Sequence, residues 1–286
     1  MRAFVYHPGD SFLHRLNPLT KFLPNLPLVV VLSLVTDPAT PAAVTLLALG
    51  LLWGAGRLPW RVIWAALQPV GIVLVGLFWT TALFYQGQAH ETPLVLPLVG
   101  PTVSVSALWY AVSIALRVLA IYTFSQVFIL TTDPVDFVRA LVQQGRLSPR
   151  LGYGVLAGYR FIPLLESELQ NLRAAYRVRG IGEGRGPLAR ARQVWRTAIP
   201  LLALAVRRAE RVALAMEARA FGALPTRTYY RQFRFQLADL LFLAGLTVAL
   251  AGLLGGLAAL GWLGRVNLLL ALLAAALGVL LVRGMP

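Results

Sequence analysis

Six hydrophobic runs recur along the chain, and their lengths predict an all-α membrane protein with about six transmembrane helices. The runs cover residues 22–35, 42–55, 65–85, 107–130, 237–260 and 266–282. The third, fourth and fifth have the roughly 20 residues needed to cross the hydrocarbon core of a bilayer. The first two are shorter and the first contains Pro24 and Pro27, so we expect them to be tilted, kinked or partly re-entrant.

A polar segment, residues 131–235, separates the fourth run from the fifth, and its pattern also predicts helices. Asp133 and Pro134 suit the N-cap and first position of a helix that ends near Gly145. A second helix is predicted over 149–179, with a kink at Pro163, a third over 188–198, and a fourth from Pro200 to residue 221. The chain thus divides into N-terminal membrane helices (1–130), a polar segment of long helices (131–235) and a C-terminal transmembrane hairpin (236–286).

Charge places the polar segment relative to the membrane. The chain is 58% hydrophobic yet carries 26 Lys and Arg against 11 Asp and Glu, a net charge of +15, and residues 131–234 hold 18 of those basic residues. Basic residues are retained on the cytoplasmic side of membranes, so we expect this segment and both termini in the cytoplasm of a prokaryotic cell, with the lipid bilayer around the runs. The same rule accounts for the basicity without a nucleic-acid partner.

Enzyme chemistry finds no support in the sequence. There is no cysteine, the three histidines form no His-Glu-x-x-His pair, and the single lysine, Lys21, is not part of a Gly-Lys-Ser/Thr phosphate loop. The glycine-rich residues 180–186 follow no predicted strand and suit a flexible connector. Near the start, Asp10 and His14 suit an N-terminal turn better than a catalytic dyad. We therefore predict no catalytic residue, metal site or cofactor in this chain.

A repeated hexapeptide is the sharpest feature of the polar segment. Residues 175–180 (Ala-Tyr-Arg-Val-Arg-Gly) and 215–220 (Ala-Met-Glu-Ala-Arg-Ala) each place one arginine among small residues at the end of a predicted helix. Small neighbours allow a partner surface to approach, and the guanidinium offers five donors to its carboxylates or carbonyls. The alternative is that each arginine only complements the helix C-terminus.

The whole chain resembles the transmembrane T component, EcfT, of energy-coupling factor transporters, in the CbiQ/EcfT family. The matching stretches are residues 8–21 (Pro-Gly-Asp-Ser-Phe-Leu-His-Arg-Leu-Asn-Pro-Leu-Thr-Lys), 131–134 (Thr-Thr-Asp-Pro), 160–163 (Arg-Phe-Ile-Pro) with Glu166 following, and both hexapeptides. They occur in the family's order and span most of the chain.

The resemblance implies a coupling subunit of an ABC-type importer for a vitamin or micronutrient. In that family an Ala-Arg-Gly-like motif at the end of each coupling helix docks in one of two cytoplasmic ATPase subunits of EcfA type, which bind the ATP. Carried over, the docking residues are Val178, Arg179 and Gly180 at the first helix end and Ala218, Arg219 and Ala220 at the second. The chain departs from the pattern at Val178 and Ala220.

The resemblance also implies a membrane-embedded, substrate-binding S component held by the membrane helices and the apolar faces of the coupling helices. Gly71 and Gly76, or Gly252, Gly255 and Gly256, could allow its close approach or serve ordinary packing. A self-contained permease and a non-transporting scaffold for cytoplasmic proteins are the alternatives. Arg117, in the middle of the fourth run, either has an internal partner that sets the bundle geometry or snorkels to the membrane surface.

Overall fold

The computed structural model describes residues 6–85, 94–95, 102–180, 186–223 and 228–259. The chain forms two compact units. The membrane unit comprises Met1–Ala140 and Phe233–Pro286, and the hairpin unit comprises Leu141–Gln232.

Helices dominate the described residues. In chain order the elements are α1 (Phe12–Arg15), α2 (Pro18–Phe22), α3 (Asn25–Leu34), α4 (Ala39–Gly50) with a π-helical turn after it (Leu51–Ala55), α5 (Trp60–Phe84), β1 (Leu94–Val95), β2 (Thr102–Val103), α6 (Val105–Thr131), α7 (Pro134–Gln143), α8 (Pro149–Val178), α9 (Pro187–Ala218) and α10 (Leu237–Ala259). The strands are two residues each and pair antiparallel. The predicted all-α membrane class is confirmed.

Three of these helices, α5, α6 and α10, are long and apolar enough to cross a membrane. The first two hydrophobic runs form the shorter apolar stretches Pro18–Leu34 and Ala39–Ala55. A helix rises about 1.5 Å per residue, so a stretch of this length falls short of a bilayer core of about 30 Å. The sixth predicted helix, at 266–282, lies outside the described residues.

The predicted disruption of the first run is confirmed. Helix α2 ends at Phe22 and α3 begins at Asn25, with Pro24 at the junction between them. Proline lacks an amide hydrogen and its ring crowds the preceding turn, so it starts helices more readily than it continues them. Asn25 bridges the break, because its side-chain amide donates to the carbonyl of Lys21 at 3.1 Å.

Helix α6 lies at the centre of the membrane unit and packs against α2, α3, α4 and α5. The core around it contains fully buried side chains from successive elements, among them Leu13, Leu32, Leu52, Ile63 and Leu130. Between membrane helices such side chains stabilise the core through van der Waals packing, since lipid is as apolar as the side chains themselves. The core therefore includes the N-terminal residues before the first apolar run as well as the membrane helices.

The turn between α6 and α7 follows the prediction from sequence. Helix α7 begins at Pro134, and the Asp133 carboxylate accepts the amide hydrogen of Val135 at 2.8 Å. This bond satisfies one of the amide groups that a helix start leaves without a partner.

The predicted break at Pro200 is wrong, because α9 is one helix that runs through this proline. A proline inside a helix leaves the carbonyl four residues earlier without its usual donor. Here that carbonyl belongs to Arg196, and it accepts a hydrogen bond of 3.0 Å from the Tyr176 hydroxyl of α8. A neighbouring helix thus supplies the missing donor, which a pattern read along α9 alone does not reveal.

Helices α8 and α9 form an antiparallel pair within the hairpin unit. Besides the Tyr176 contact, the Arg208 guanidinium lies over the Phe161 ring at 5.3 Å, and the Tyr153 and Phe221 rings meet edge to face at 5.3 Å. Contacts at later positions in α8 thus correspond to earlier positions along α9. The two helices run alongside each other for most of their length.

Candidate functional site

The two hexapeptides form the same local structure at the C-terminal ends of α8 and α9. Arg179 is the C-cap residue of α8, with φ −79° and ψ 8°, and Arg219 is the C-cap of α9, with φ −93° and ψ 17°. The following residues, Gly180 and Ala220, have left-handed backbones with φ of +70° and +55°. The repeat in the sequence is therefore a repeat in backbone geometry.

Hydrogen bonds fix both helix ends. The Ala220 amide donates to the Glu217 carbonyl at 2.8 Å, and the Phe221 amide donates to the Met216 carbonyl at 3.0 Å. This pair of bonds is the Schellman arrangement, which satisfies carbonyls left over at a helix end. At α8 the Gly180 amide makes the equivalent inner bond to the Arg177 carbonyl, at 3.0 Å.

Both arginines are exposed at these ends, together with the small residues beside them, Val178, Gly180, Ala218 and Ala220. Among the described residues, neither guanidinium has a hydrogen-bond or ion-pair partner within the chain. The half-buried positions also recur, at Leu172 and Tyr176 in α8 and at Val212 and Met216 in α9. Each helix end thus has two half-buried positions one turn apart, followed by an exposed arginine at the C-cap.

The antiparallel pairing puts the two arginines at opposite ends of the hairpin. Arg219 is two residues from Phe221, which contacts Tyr153 near the start of α8, whereas Arg179 follows the last residue of α8. At a rise of about 1.5 Å per residue, the 26 positions from Tyr153 to Arg179 correspond to about 39 Å. The hairpin therefore offers two separate contact points that have the same shape and charge.

Arg117 lies inside the membrane unit, on α6, and donates a hydrogen bond from Nη2 to the carbonyl of Val35, the C-cap of α3. Ser113, one turn earlier on α6, donates to the carbonyl of Thr36 at 2.7 Å. An arginine within a membrane helix is stable when backbone carbonyls or other polar groups surround its head group. Both bonds hold the turn after α3 against α6.

Sequence reasoning missed Lys21, which is only 4% exposed. Its ammonium group donates to the carbonyl of Leu13 at 2.9 Å, to the carbonyl of Thr131 at 2.8 Å and to the Thr131 hydroxyl at 3.4 Å. The sequence did mark this residue as unusual, because Lys21 is the only lysine in a chain with 26 basic residues. Its place beside an apolar run concealed the fact that it is buried.

His14, near the N-terminus, forms hydrogen bonds within its own turn. The Nδ1 atom of His14 lies 2.6 Å from the Ser11 hydroxyl and its Nε2 lies 2.9 Å from the carbonyl of His7. Burial lowers the pKa of His14, which favours the neutral ring that can accept at one nitrogen and donate at the other. Among the residues that the structure describes, no cluster of three His, Cys, Asp or Glu residues could hold a metal ion.

In the part of the chain that the structure describes, three helices long and apolar enough to span a membrane, shorter apolar helices and a polar helical hairpin define a polytopic membrane protein. A family model described as "Cobalt transport protein", CbiQ, matches residues 9–230. The chain belongs to this CbiQ family.

Curated relatives agree with the family model. The chain is 30% identical over 259 residues to the energy-coupling factor transporter transmembrane protein EcfT of Leuconostoc gelidum subsp. gasicomitatum, covering 87% of this chain and 91% of the relative. It is 30% identical over 237 residues to EcfT of Bacillus subtilis, covering 79% and 87%. It is also 30% identical over 259 residues to EcfT of Thermanaerovibrio acidaminovorans, covering 87% and 93%. The family model and these relatives show that the chain is a transmembrane component of an energy-coupling factor transporter, a family whose members are not themselves ATPases.

Proposed function

We propose that the chain couples two cytoplasmic ABC ATPase subunits of EcfA type to a membrane-embedded S component that binds a vitamin or micronutrient. ATP binding and hydrolysis belong to the ATPase subunits, and this chain transmits their movement. The observation that carries the proposal is the pair of exposed arginines, Arg179 and Arg219, held by matching helix caps at opposite ends of one hairpin.

The helix caps suit each arginine for docking. A C-cap residue followed by a left-handed residue ends the helix abruptly, so no further helical turn covers the arginine. Val178 and Gly180 at one end, and Ala218 and Ala220 at the other, add little bulk beside the guanidinium. A carboxylate or backbone carbonyl in a groove of the partner could then receive several of its donors.

Two equivalent contact points suit two ATPase subunits. Each end of the hairpin presents one arginine, and the ends are separated by about 39 Å along the helices. A single hairpin held at both ends would change its tilt whenever the two ATPases approach or separate. This supports a mechanical role better than a role as a passive scaffold, which needs no matched pair of contacts.

Helix α9 also supports an apolar partner. Five exposed side chains, Leu188, Trp195, Ile199, Leu202 and Val206, are between 49% and 86% exposed. At 100° per residue they fall within an arc of about 60° on one side of the helix. Buried Thr197 lies on the opposite side, so this apolar stripe is not the face that packs against α8. We propose that the stripe binds the S component.

We propose a second surface for this partner on α5, in the membrane unit. Ile72, Val73 and Val75 are 82%, 57% and 60% exposed. A Cβ atom built on Gly71 or Gly76 would meet no atom of the described residues within 4 Å. Small residues allow helices to approach closely in membranes, so this face can contact either lipid or another transmembrane helix.

Charge reversal tests the docking proposal. Arg179→Glu and Arg219→Glu, alone and together, would be expressed with the two ATPases and the S component, and co-purification and ATP-driven uptake would be measured. Truncating one member of a desolvated charge pair costs about 2–5 kcal/mol, which is a loss of about 30-fold or more in affinity. We expect each single variant to weaken the retention of the ATPases and the double variant to abolish uptake.

Matched controls are Arg173→Glu and Arg211→Glu, which reverse exposed charges earlier on the same two helices. They should insert, retain the ATPases and support uptake. The docking assignment is wrong if the double variant inserts normally and still retains both ATPases and uptake. Transport by the purified chain alone would instead support a permease, and a wild-type chain that binds cytoplasmic proteins without any ATPase would support a scaffold.

A further inference from the structure

Residues 7–22, here called the N-terminal clamp, contact both places where the segment 131–235 joins the membrane helices. One junction is the end of α6 at Thr131, and the other is the start of α10 at Leu237. All the contacts lie within the membrane unit. None of them is needed for the arginine contacts proposed above.

At the first junction the clamp supplies donors to the last carbonyls of α6. The His7 amide donates to the Leu130 carbonyl at 3.1 Å, and Lys21 donates to the Thr131 carbonyl at 2.8 Å. The last four carbonyls of a helix have no partner within the helix, and a positive charge there also interacts favourably with the helix dipole. All three ammonium donors of Lys21 have acceptors, since Leu13 and the Thr131 hydroxyl take the others.

Aromatic packing extends the clamp across this junction to α7. The Phe22 ring lies 5.5 Å from the Phe128 ring of α6 and 5.2 Å from the Phe137 ring of α7. The Phe128 and Phe137 rings lie 4.9 Å apart, edge to face. Each ring thus contacts the other two, and the bend between α6 and α7 is held from both sides.

At the second junction the clamp binds the first turn of α10 through Asp239, which is 3% exposed. One carboxylate oxygen accepts the amide hydrogen of Asn17 at 2.8 Å, and the other accepts that of Gln236 at 2.9 Å. The bond to Gln236 is the acidic half of a capping box. The bond to Asn17 goes beyond capping, because it ties the helix start to a segment 222 positions away in the chain.

We propose that the N-terminal clamp makes the two junctions of the coupling segment move as one, with Lys21 and Asp239 as its positioning residues. The inference rests on the proposed coupling function, since it concerns how movement of the hairpin reaches the membrane helices. Residues 132 and 133, and residues 228–236, are non-helical connections where bending could absorb that movement. Buried, directional bonds to one shared segment oppose such bending.

Lys21→Met and Asp239→Asn test this role in the complete complex of the chain, both ATPases and the S component. Methionine keeps most of the apolar stem and removes the donors, while asparagine turns one acceptor into a donor. We expect both ATPases to be retained and ATP hydrolysis to continue, with uptake per ATP hydrolysed lower by about fivefold or more, the lower range of coupling between sites. Arg15→Met, which removes an exposed charge from the same segment, should leave this ratio unchanged.

The absence of native cysteine allows spin labels to report the junctions directly. Cysteines would replace Arg15 on the clamp and either Arg139 on α7 or Leu240 on α10, and the distance distribution within each pair would be measured by electron paramagnetic resonance. We expect Lys21→Met to broaden the first distribution and Asp239→Asn to broaden the second. If Lys21→Met does not insert, Asp239→Asn still decides the question at the second junction.

Unchanged distributions together with an unchanged ratio of uptake to hydrolysis would overturn the clamp proposal. This result would leave the arginine docking unaffected, since the ATPases would still be retained. Conversely, if the Arg179→Glu and Arg219→Glu variants show that docking is wrong, broadened distributions in the clamp variants would still establish the two mechanical junctions. The two failures are therefore distinguishable.

Discussion

The matched helix ends predict that two substitutions change the stability of their helix ends in opposite directions. Gly180 and Ala220 occupy the same position after the C-cap arginine, and both have left-handed backbones. Gly180→Ala places a side chain where the chain now has none, and Ala220→Gly removes one. The two changes should therefore have opposite effects on the stability of their helix ends.

The magnitude follows from two opposing terms. A non-glycine residue in the left-handed region is disfavoured by about 1–2 kcal/mol, whereas glycine loses about 0.4–1 kcal/mol more on ordering because its unfolded chain is more flexible. The difference is about 1 kcal/mol in favour of glycine at either position. Neither position gains a compensating contact, since Ala220 is exposed and a Cβ at Gly180 would meet nothing within 4 Å.

Amide hydrogen exchange in lipid nanodiscs measures this directly, through peptides that cover residues 172–180 and 212–221. A change of about 1 kcal/mol alters a local opening equilibrium by about fivefold. Exchange should be faster at the α8 end in Gly180→Ala and slower at the α9 end in Ala220→Gly. Gly158→Ala is the control, because this exposed glycine lies inside α8 in open space, where alanine should stabilise the helix by about 0.5–1 kcal/mol.

If Gly180→Ala slows exchange as Gly158→Ala does, or if both end substitutions shift exchange in the same direction, the left-handed caps do not determine how these ends are held. The reasoning about the arginines would then lose its structural basis, although docking itself could still be measured.

Two further predictions concern packing and orientation. In Gly152→Ala the new Cβ would overlap a methyl group of Val142, which is 9% exposed, so thermal stability should fall by an overpacking penalty of about 1–3 kcal/mol. The control is Gly154→Ala, in open space, which should not destabilise the protein. Equal effects of the two substitutions would contradict the packing of Gly152 against Val142. With a cytoplasmic N-terminus, the turn between the first two apolar runs should lie outside the cell. In intact cells a membrane-impermeant maleimide should therefore label Thr36→Cys in this turn but not Arg179→Cys. The reverse result would place the hairpin outside the cell.

Several elements could be predicted from the sequence because local rules determine them. The N-cap at Asp133 and the end of α8 at Val178 depend on residues within one turn of the boundary. The helical class and the three spanning helices follow from run length alone. The matching arginines were found because the chemistry and the spacing repeat in the sequence.

The missed features depend on residues distant in the chain. Helix α9 continues through Pro200 because Tyr176, on another helix, donates to the freed carbonyl. Lys21 is buried because the end of α6, 110 positions later, needs a donor. In the sequence Asp239 resembles an ordinary acidic residue in the first turn of a helix. Only the fold brings the Asn17 amide to one of its carboxylate oxygens. Period and composition carry no information on such pairings.

The antiparallel pairing of α8 and α9 has a geometrical consequence for a partner that binds both ends of the hairpin. With about 39 Å between the arginines, each degree of rotation about one end displaces the other by about 0.7 Å. A hairpin that turned about one arginine would therefore convert a small angular change into a translation of the other arginine comparable to an atomic radius. The length of the hairpin, set by the number of turns in α8, would determine the size of that translation.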